Sequence, residues 1–211
     1  MARHGKEELE AALAEHGLCL NGGFAPEPRD GLDATTLALV SPASDFWGIF
    51  SASPELGDGA PDPLDRWSAR ILTAIAADFG ATAHFPFGPA AGPFLAWARR
   101  SGAAWPSPVP LLVSGRMGLD TSYRGALALP FAMTFPPSVG PCGACAEPCL
   151  TACPAEALVA TGYDVAACQT YLRARPDSAC REAGCLVRRA CPASIGQPPA
   201  QARFHMAAFL S

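Results

Sequence analysis

Cys142-Gly143-Ala144-Cys145-Ala146-Glu147-Pro148-Cys149-Leu150-Thr151-Ala152-Cys153-Pro154 decides how this chain is read. The spacing is C-x2-C-x3-C-x3-C-P. Further on stand Cys168, Cys180, Cys185 and Cys191, the last again followed by a proline, Pro192. Eight of the nine cysteines therefore fall between Cys142 and Cys191. Such density means either a disulfide framework or metal binding. The opening stretch, MARHGKEELEAALAEHG, is charged and helical and lacks the apolar segment of an export signal. No apolar run reaches membrane-spanning length. A cytoplasmic protein is expected, and there thiols stay reduced. Metal binding is the favoured reading; disulfides, or one centre with a zinc ion or spare thiols, are the alternatives.

Two Cys-Pro corners, each with three partner cysteines, match the arithmetic of two four-iron clusters. A four-iron core needs four thiolates at tetrahedral corners. A turning C-x2-C loop can send two sulfurs to one side, and a remote segment must supply the last. Proline after that last cysteine has no N–H to bury and a fixed φ, so the chain turns away. In the bacterial two-cluster ferredoxin run the fourth cysteine, before proline, serves the other cluster. The block here has one residue more before its third cysteine. Carrying the rule over, Cys142, Cys145, Cys149 and Cys191 are expected to hold one [4Fe-4S] cluster. Cys153, Cys168, Cys180 and Cys185 are expected to hold the second. Gly140, Gly143 and Gly184 are candidates to bring backbone amides near the sulfurs. Cys19 stands apart and is expected in the core.

Composition sets outer bounds. The 211 residues suffice for one large domain or a main domain with an appendage. Half the residues are hydrophobic (50%), and the net charge is −4. That is not the basic footprint of a nucleic-acid binder. Residues 142–211 carry six arginines against five acidic groups, a mildly positive stretch suited to an anionic thiolate-held centre.

Periodicity organises the rest. Helices are expected over 6–16, 44–50, 63–79 and 93–101, and strands early in 18–34, from Thr36, at ATAHF, at LLVSG and over 123–129. The longest helix has Asp62 as its cap and Pro63 at the first position. The last two strands are candidates to pair. WPSPVP reads as a loop and Gly22-Gly23 as a turn. The alternation over 18–129 argues for an α/β or α+β layer with one sheet. The expected division is 1–136 for that domain, 137–198 for the two-cluster module, and 199–211 for a tail helix packing back and burying Phe204 and Ala208.

The cysteine block, the CQTYLRA stretch at Cys168 and the closing Cys-Pro resemble the iron–sulfur half of the epoxyqueuosine reductase and reductive dehalogenase family. Gly118-Leu119-Asp120-Thr121-Ser122-Tyr123-Arg124-Gly125-Ala126-Leu127 resembles the segment ahead of the clusters in those reductases. DPLDRW, YRGAL and the QARFHMAAFL ending are similar to a group of short bacterial ferredoxin-like proteins. The resemblance implies a nitroreductase-like first domain, a ferredoxin-like module, and cobalamin or a flavin as a further cofactor. The stretch lacks the His-Pro and aromatic residues often found there, and no catalytic residue is carried over.

The remaining candidates each have a plainer alternative. Tyr123, Arg124 and Gly125 are candidates to bind cofactor or substrate, with Asp120 as a nearby acid. In the plainer reading Arg124 pairs with a carboxylate and Tyr123 packs at a strand start. Trp47, Trp67, Trp97 and Trp105 are core anchors, or, for the last two, walls of a cofactor cavity. His84 and His205 have no metal-like spacing. Arg173, Arg175, Arg181, Arg188 and Arg189 would dock an acidic redox partner or form ordinary solvated faces. The expected function is electron transfer through two clusters, to a redox protein or small-molecule substrate. A cobalamin- or flavin-dependent reductase is the alternative.

Overall fold

The computed structural model describes residues 5–136 and 138–211. The strands, in chain order, are β1 (Leu18–Phe24), β2 (Thr36–Pro42), β3 (Thr82–His84), β4 (Ala104–Pro106), β5 (Leu112–Ser114), β6 (Gly125–Leu129), β7 (Leu158–Val159) and β8 (Gly162–Tyr163). The α-helices are α1 (Lys6–Ala14), α2 (Phe46–Ser51), α3 (Pro54–Gly57), α4 (Pro63–Asp78), α5 (Phe94–Arg100), α6 (Val165–Ala174), α7 (Ala179–Ala183), α8 (Leu186–Ala190) and α9 (Pro199–Leu210). Two compact units share them, one from residues 1–103 and 122–138, the other from 104–121 and 139–211. The expected boundary near 136 thus becomes an interleaved one, because residues 104–121 group with the cysteines.

The first unit is α+β. Its sheet runs β1-β2-β6-β3 and every pairing is antiparallel. Strands β2 (TLALVSP) and β6 (GALAL) are buried along their whole length. That burial fits their central places, where both faces are covered. Helix α4 turns Trp67, Ile71, Leu72 and Ile75 inward at helical spacing. Trp67 meets Phe46 and Phe50 edge-on at 5.4 and 5.8 Å. Such pairs add about 0.5–1.5 kcal/mol each beyond their area. Glu55, buried, accepts two hydrogen bonds from Arg70. These bonds hold its carboxyl below the usual range.

Several local expectations change. Asp62 occupies the N-cap of α4 but makes no side-chain cap bond, and its φ is 51°. Gly22 and Gly23 lie inside β1, where the register shifts between Leu20 and Gly23. A side chain at Gly23 would strike the Phe135 ring at 2.4 Å. LLVSG and the 123–129 strand do not pair with each other. β5 pairs with β4, whose last two residues open the stretch read as a loop, and β6 joins the main sheet. Cys19 is half-buried in β1 and donates to the Pro42 carbonyl at 3.6 Å. No described helix is long and apolar enough to cross a membrane.

Candidate metal centre

The second unit wraps its thiols around a small apolar core. Val109, Val113, Leu119, Cys149, Leu158 and Val187 are buried together. Cys142, Cys153, Cys185 and Cys191 pack against them, with Trp105 alongside. Gly140 lies on the Trp105 ring, where a side chain would come within 3.1 Å. All eight cysteines of this unit are free thiols.

Each thiol is placed by a local device. Cys142 opens a turn closed by Cys145 N–H donating to the Cys142 carbonyl at 3.1 Å. The extra residue before Cys149 is absorbed at Glu147, whose φ of 55° is left-handed, uncommon for a residue with a side chain. There the Glu147 N–H donates to Cys145 Sγ at 3.4 Å, and a 3-10 turn over Pro148–Leu150 delivers Cys149. The turn after Cys153 is closed by Glu156 N–H to the Cys153 carbonyl at 3.2 Å. The β7–β8 hairpin then leads to Asp164, which caps α6 by accepting from Ala167 N–H at 2.8 Å. Cys168 rides on that helix and Cys180 on α7. Gly184, at φ 88°, ends α7, and Cys185 is the N-cap of α8. Cys191 closes α8, and Ser194 N–H turns back onto the Cys191 carbonyl at 3.0 Å.

Four of the thiols are perturbed by burial and by neighbouring thiols. Burial first, then the neighbouring thiols Cys191, Cys145 and Cys149, push the Cys142 thiol up. Burial, Cys191 and Cys145 do the same to Cys149. Cys180 is raised by burial, Cys185, Cys153 and Cys168, with the Leu186 amide opposing. Cys168 is raised by burial, Cys185 and Cys153, with the Tyr163 hydroxyl opposing. Cys142 and Cys149 thus feel Cys145 and Cys191, whereas Cys168 and Cys180 feel Cys153 and Cys185. The first set also lines one concavity, with Val113 and Leu119 on its wall and about 270 Å³ of free space, solvent at its mouth included. Neither set is tight: among the described residues no three His, Cys, Asp or Glu side chains are gathered closely enough for a single metal ion.

The other candidates fall in different places. Asp120 belongs to this unit, whereas Tyr123, Arg124 and Gly125 belong to the first unit. Arg124 pairs with Asp65 at 3.2 Å, as its plainer reading had it. Tyr123 is buried 6.4 Å from the Phe94 ring, and its hydroxyl has no hydrogen-bond partner. Gly125 starts β6 where a side chain would meet Leu72 at 2.4 Å. Trp97 is a core anchor, 5.0 Å from Phe94 and 6.0 Å from His84. Burial holds the His84 imidazole below its ordinary value.

In the cysteine unit, Gly143 has open space around it rather than a close approach to make. Arg173, Arg181 and Arg188 donate to the Leu210, Leu172 and Leu119 carbonyls, and Arg175 covers the Tyr171 ring. Helix α9 packs on α7 and α6, burying Ala202 while Phe204 stays half-buried and Ala208 exposed. Residues 118–120 also meet the stretch after Cys191, through the Leu119 and Gly196 amides and at Gly118, a contact for which small residues are the one sequence signal.

No family model, curated protein or solved structure matches the chain, and the chemistry of the site rests on its own residues.

Proposed function

We propose that this is an iron–sulfur electron-transfer protein carrying two [4Fe-4S] clusters. Cys142, Cys145, Cys149 and Cys191 would hold one and Cys153, Cys168, Cys180 and Cys185 the other. The observation that carries the reading is that Cys142, Cys145, Cys149 and Cys191 line one concavity, while Cys153 and Cys185 neighbour Cys168 and Cys180, all of them free cysteines. Their openness suits a four-iron core better than one zinc ion, because four sulfurs on a single zinc stand only about 3.8 Å apart.

Bound there, such clusters accept and release single electrons. The chain's part is to hold, shield and tune. Buried Cys149 and Cys180 anchor each set in apolar surroundings, which limit solvent access. The Glu147 amide donates to a ligand sulfur, and such bonds tune the potential. The raised thiols must lose protons to coordinate metal, so loading releases protons. The partner is proposed to be a redox protein or a small-molecule substrate. Anaerobically prepared protein should contain about eight irons and as many acid-labile sulfides per chain. Protein carrying no iron, with its cysteines joined as disulfides, would exclude the reading.

A second reading, a cobalamin- or flavin-dependent reductase related to the epoxyqueuosine reductases, has one specific support. The Tyr123 hydroxyl is buried without a partner, and a ligand's polar group would supply one. Titration of the cluster-loaded protein with cobalamin and with flavin separates the two: a saturable band shift favours the reductase, unchanged spectra the carrier.

A further inference from the structure

Gly118, Leu119 and Asp120 stand far in sequence from every cysteine, yet each touches the stretch that follows Cys191. Gly118 lies at φ 56°, and a side chain there would sit 2.2 Å from the Ser194 nitrogen and 2.4 Å from the Ala193 carbonyl carbon. Only glycine allows two backbones so close. The Leu119 N–H donates to Ser194 Oγ at 3.0 Å, and the Leu119 carbonyl accepts from the Arg188 guanidinium. Asp120 Oδ2 accepts from the Gly196 N–H at 2.9 Å.

The clasp is itself braced. Thr121 Oγ1 reaches Ser114 Oγ at 2.8 Å and the Gly118 carbonyl at 2.7 Å. Ser114 and Gly118 exchange backbone bonds at 3.1 and 2.9 Å. The Leu119 side chain is buried on the wall shared with Cys142, Cys145, Cys149 and Cys191. The clasp thus seizes both sides of Cys191: Arg188 lies three residues before it, and Ser194 and Gly196 three and five after.

Cys142, Cys145 and Cys149 come from one turning loop and largely fix one another. Cys191 arrives from elsewhere and needs outside support. We infer that Gly118, Leu119 and Asp120 are positioning residues for Cys191, setting the occupancy and potential of the first centre while leaving the second alone. The inference rests on the two-cluster reading. Asp120 contributes chiefly as the acceptor for the Gly196 amide, with the Ser194 hydroxyl and the Arg188 guanidinium also beside it; an asparagine keeps the acceptor oxygen and gives up only the charge.

The test is iron content, paramagnetic resonance of the reduced protein and midpoint potentials, for the wild type and for Asp120→Ala, Asp120→Asn, Ser194→Ala and Gly118→Ala. Wild-type protein without iron would overturn the two-cluster reading itself. With two centres present in the wild type, Asp120→Ala and Gly118→Ala should lose one signal and about half the iron. Ser194→Ala, the mildest change, should keep both centres and shift one potential only. Asp120→Asn should restore the wild-type spectrum, which a merely structural role for the carboxylate charge would not predict. Both signals unchanged in Asp120→Ala and Gly118→Ala, or both lost equally in Asp120→Ala and Ser194→Ala, would overturn the clasp.

Discussion

Cys185 and Cys191 cap the two ends of one short helix, Cys185 before Leu186 and Cys191 after Ala190. Six residue steps of helix separate their backbones by roughly 9 Å along the axis. Cys185 influences Cys168 and Cys180, while Cys191 influences Cys142 and Cys149. Helix α8 therefore holds its two end thiols apart, one near Cys168 and Cys180 and the other near Cys142 and Cys149.

That division predicts the outcome of single substitutions. Cys185→Ser should lose or degrade one centre and retain about half the iron. Cys191→Ser should do the same to the other, leaving a different paramagnetic signal. Iron analysis with spectra of both reduced variants checks this. Identical residual signals in the two would show that the thiols serve one centre.

Tyr123→Phe should stabilise the protein by about 1 kcal/mol, because the lost hydroxyl is buried with no partner. Equilibrium unfolding in urea measures it. A destabilised Tyr123→Phe would mean that the hydroxyl makes an unrecognised bond.

Gly125→Ala should destabilise the first unit by about 1–3 kcal/mol, since the added carbon meets Leu72 at 2.4 Å and the His84 carbonyl at 3.0 Å. The iron content should stay at the wild-type level, because Gly125 lies in the first unit. Thermal melts paired with iron analysis test both halves of the statement.

Acid sensitivity follows from Glu55. Its hydrogen bonds from Arg70 hold its folded-state carboxyl below the ordinary glutamate range. The pair's contribution is therefore complete above the unfolded value and disappears as pH falls through the lower folded one. Arg70 is half-exposed, so the contribution is about 1 kcal/mol. Glu55→Gln should show that deficit at pH 7 and converge on the wild type in acid. Denaturation midpoints across the acid range measure the convergence.

Local signals were legible in the sequence wherever neighbouring residues decided the outcome. The apolar stripe of α4 and the buried run of β2 both depend on short-range spacing. Pairings that depend on distant partners were not legible. Nothing near LLVSG reveals that it pairs with Ala104–Pro106, because WPSPVP looks like a loop until a partner supplies its hydrogen bonds. Asp62 fits a capping pattern, but its left-handed backbone takes the carboxylate out of that role. The Cys-Pro corners were legible because proline's fixed φ reports local chain direction. The clasp was not, since Gly118 and Ser194 become neighbours only after folding.

Interleaving also fixes an order of events during synthesis. Strand β6 lies between β2 and β3 in the sheet but is encoded after residues 104–121. A growing chain must therefore hold β2 with one edge open until residues 125–129 emerge. The Gly118–Asp120 turn leaves the ribosome well ahead of Cys191, by roughly 4–14 s at ordinary elongation rates. Cys191 is thus met by a receptor made in advance, whereas Cys142, Cys145 and Cys149 emerge before their distant neighbour and stay open until it arrives.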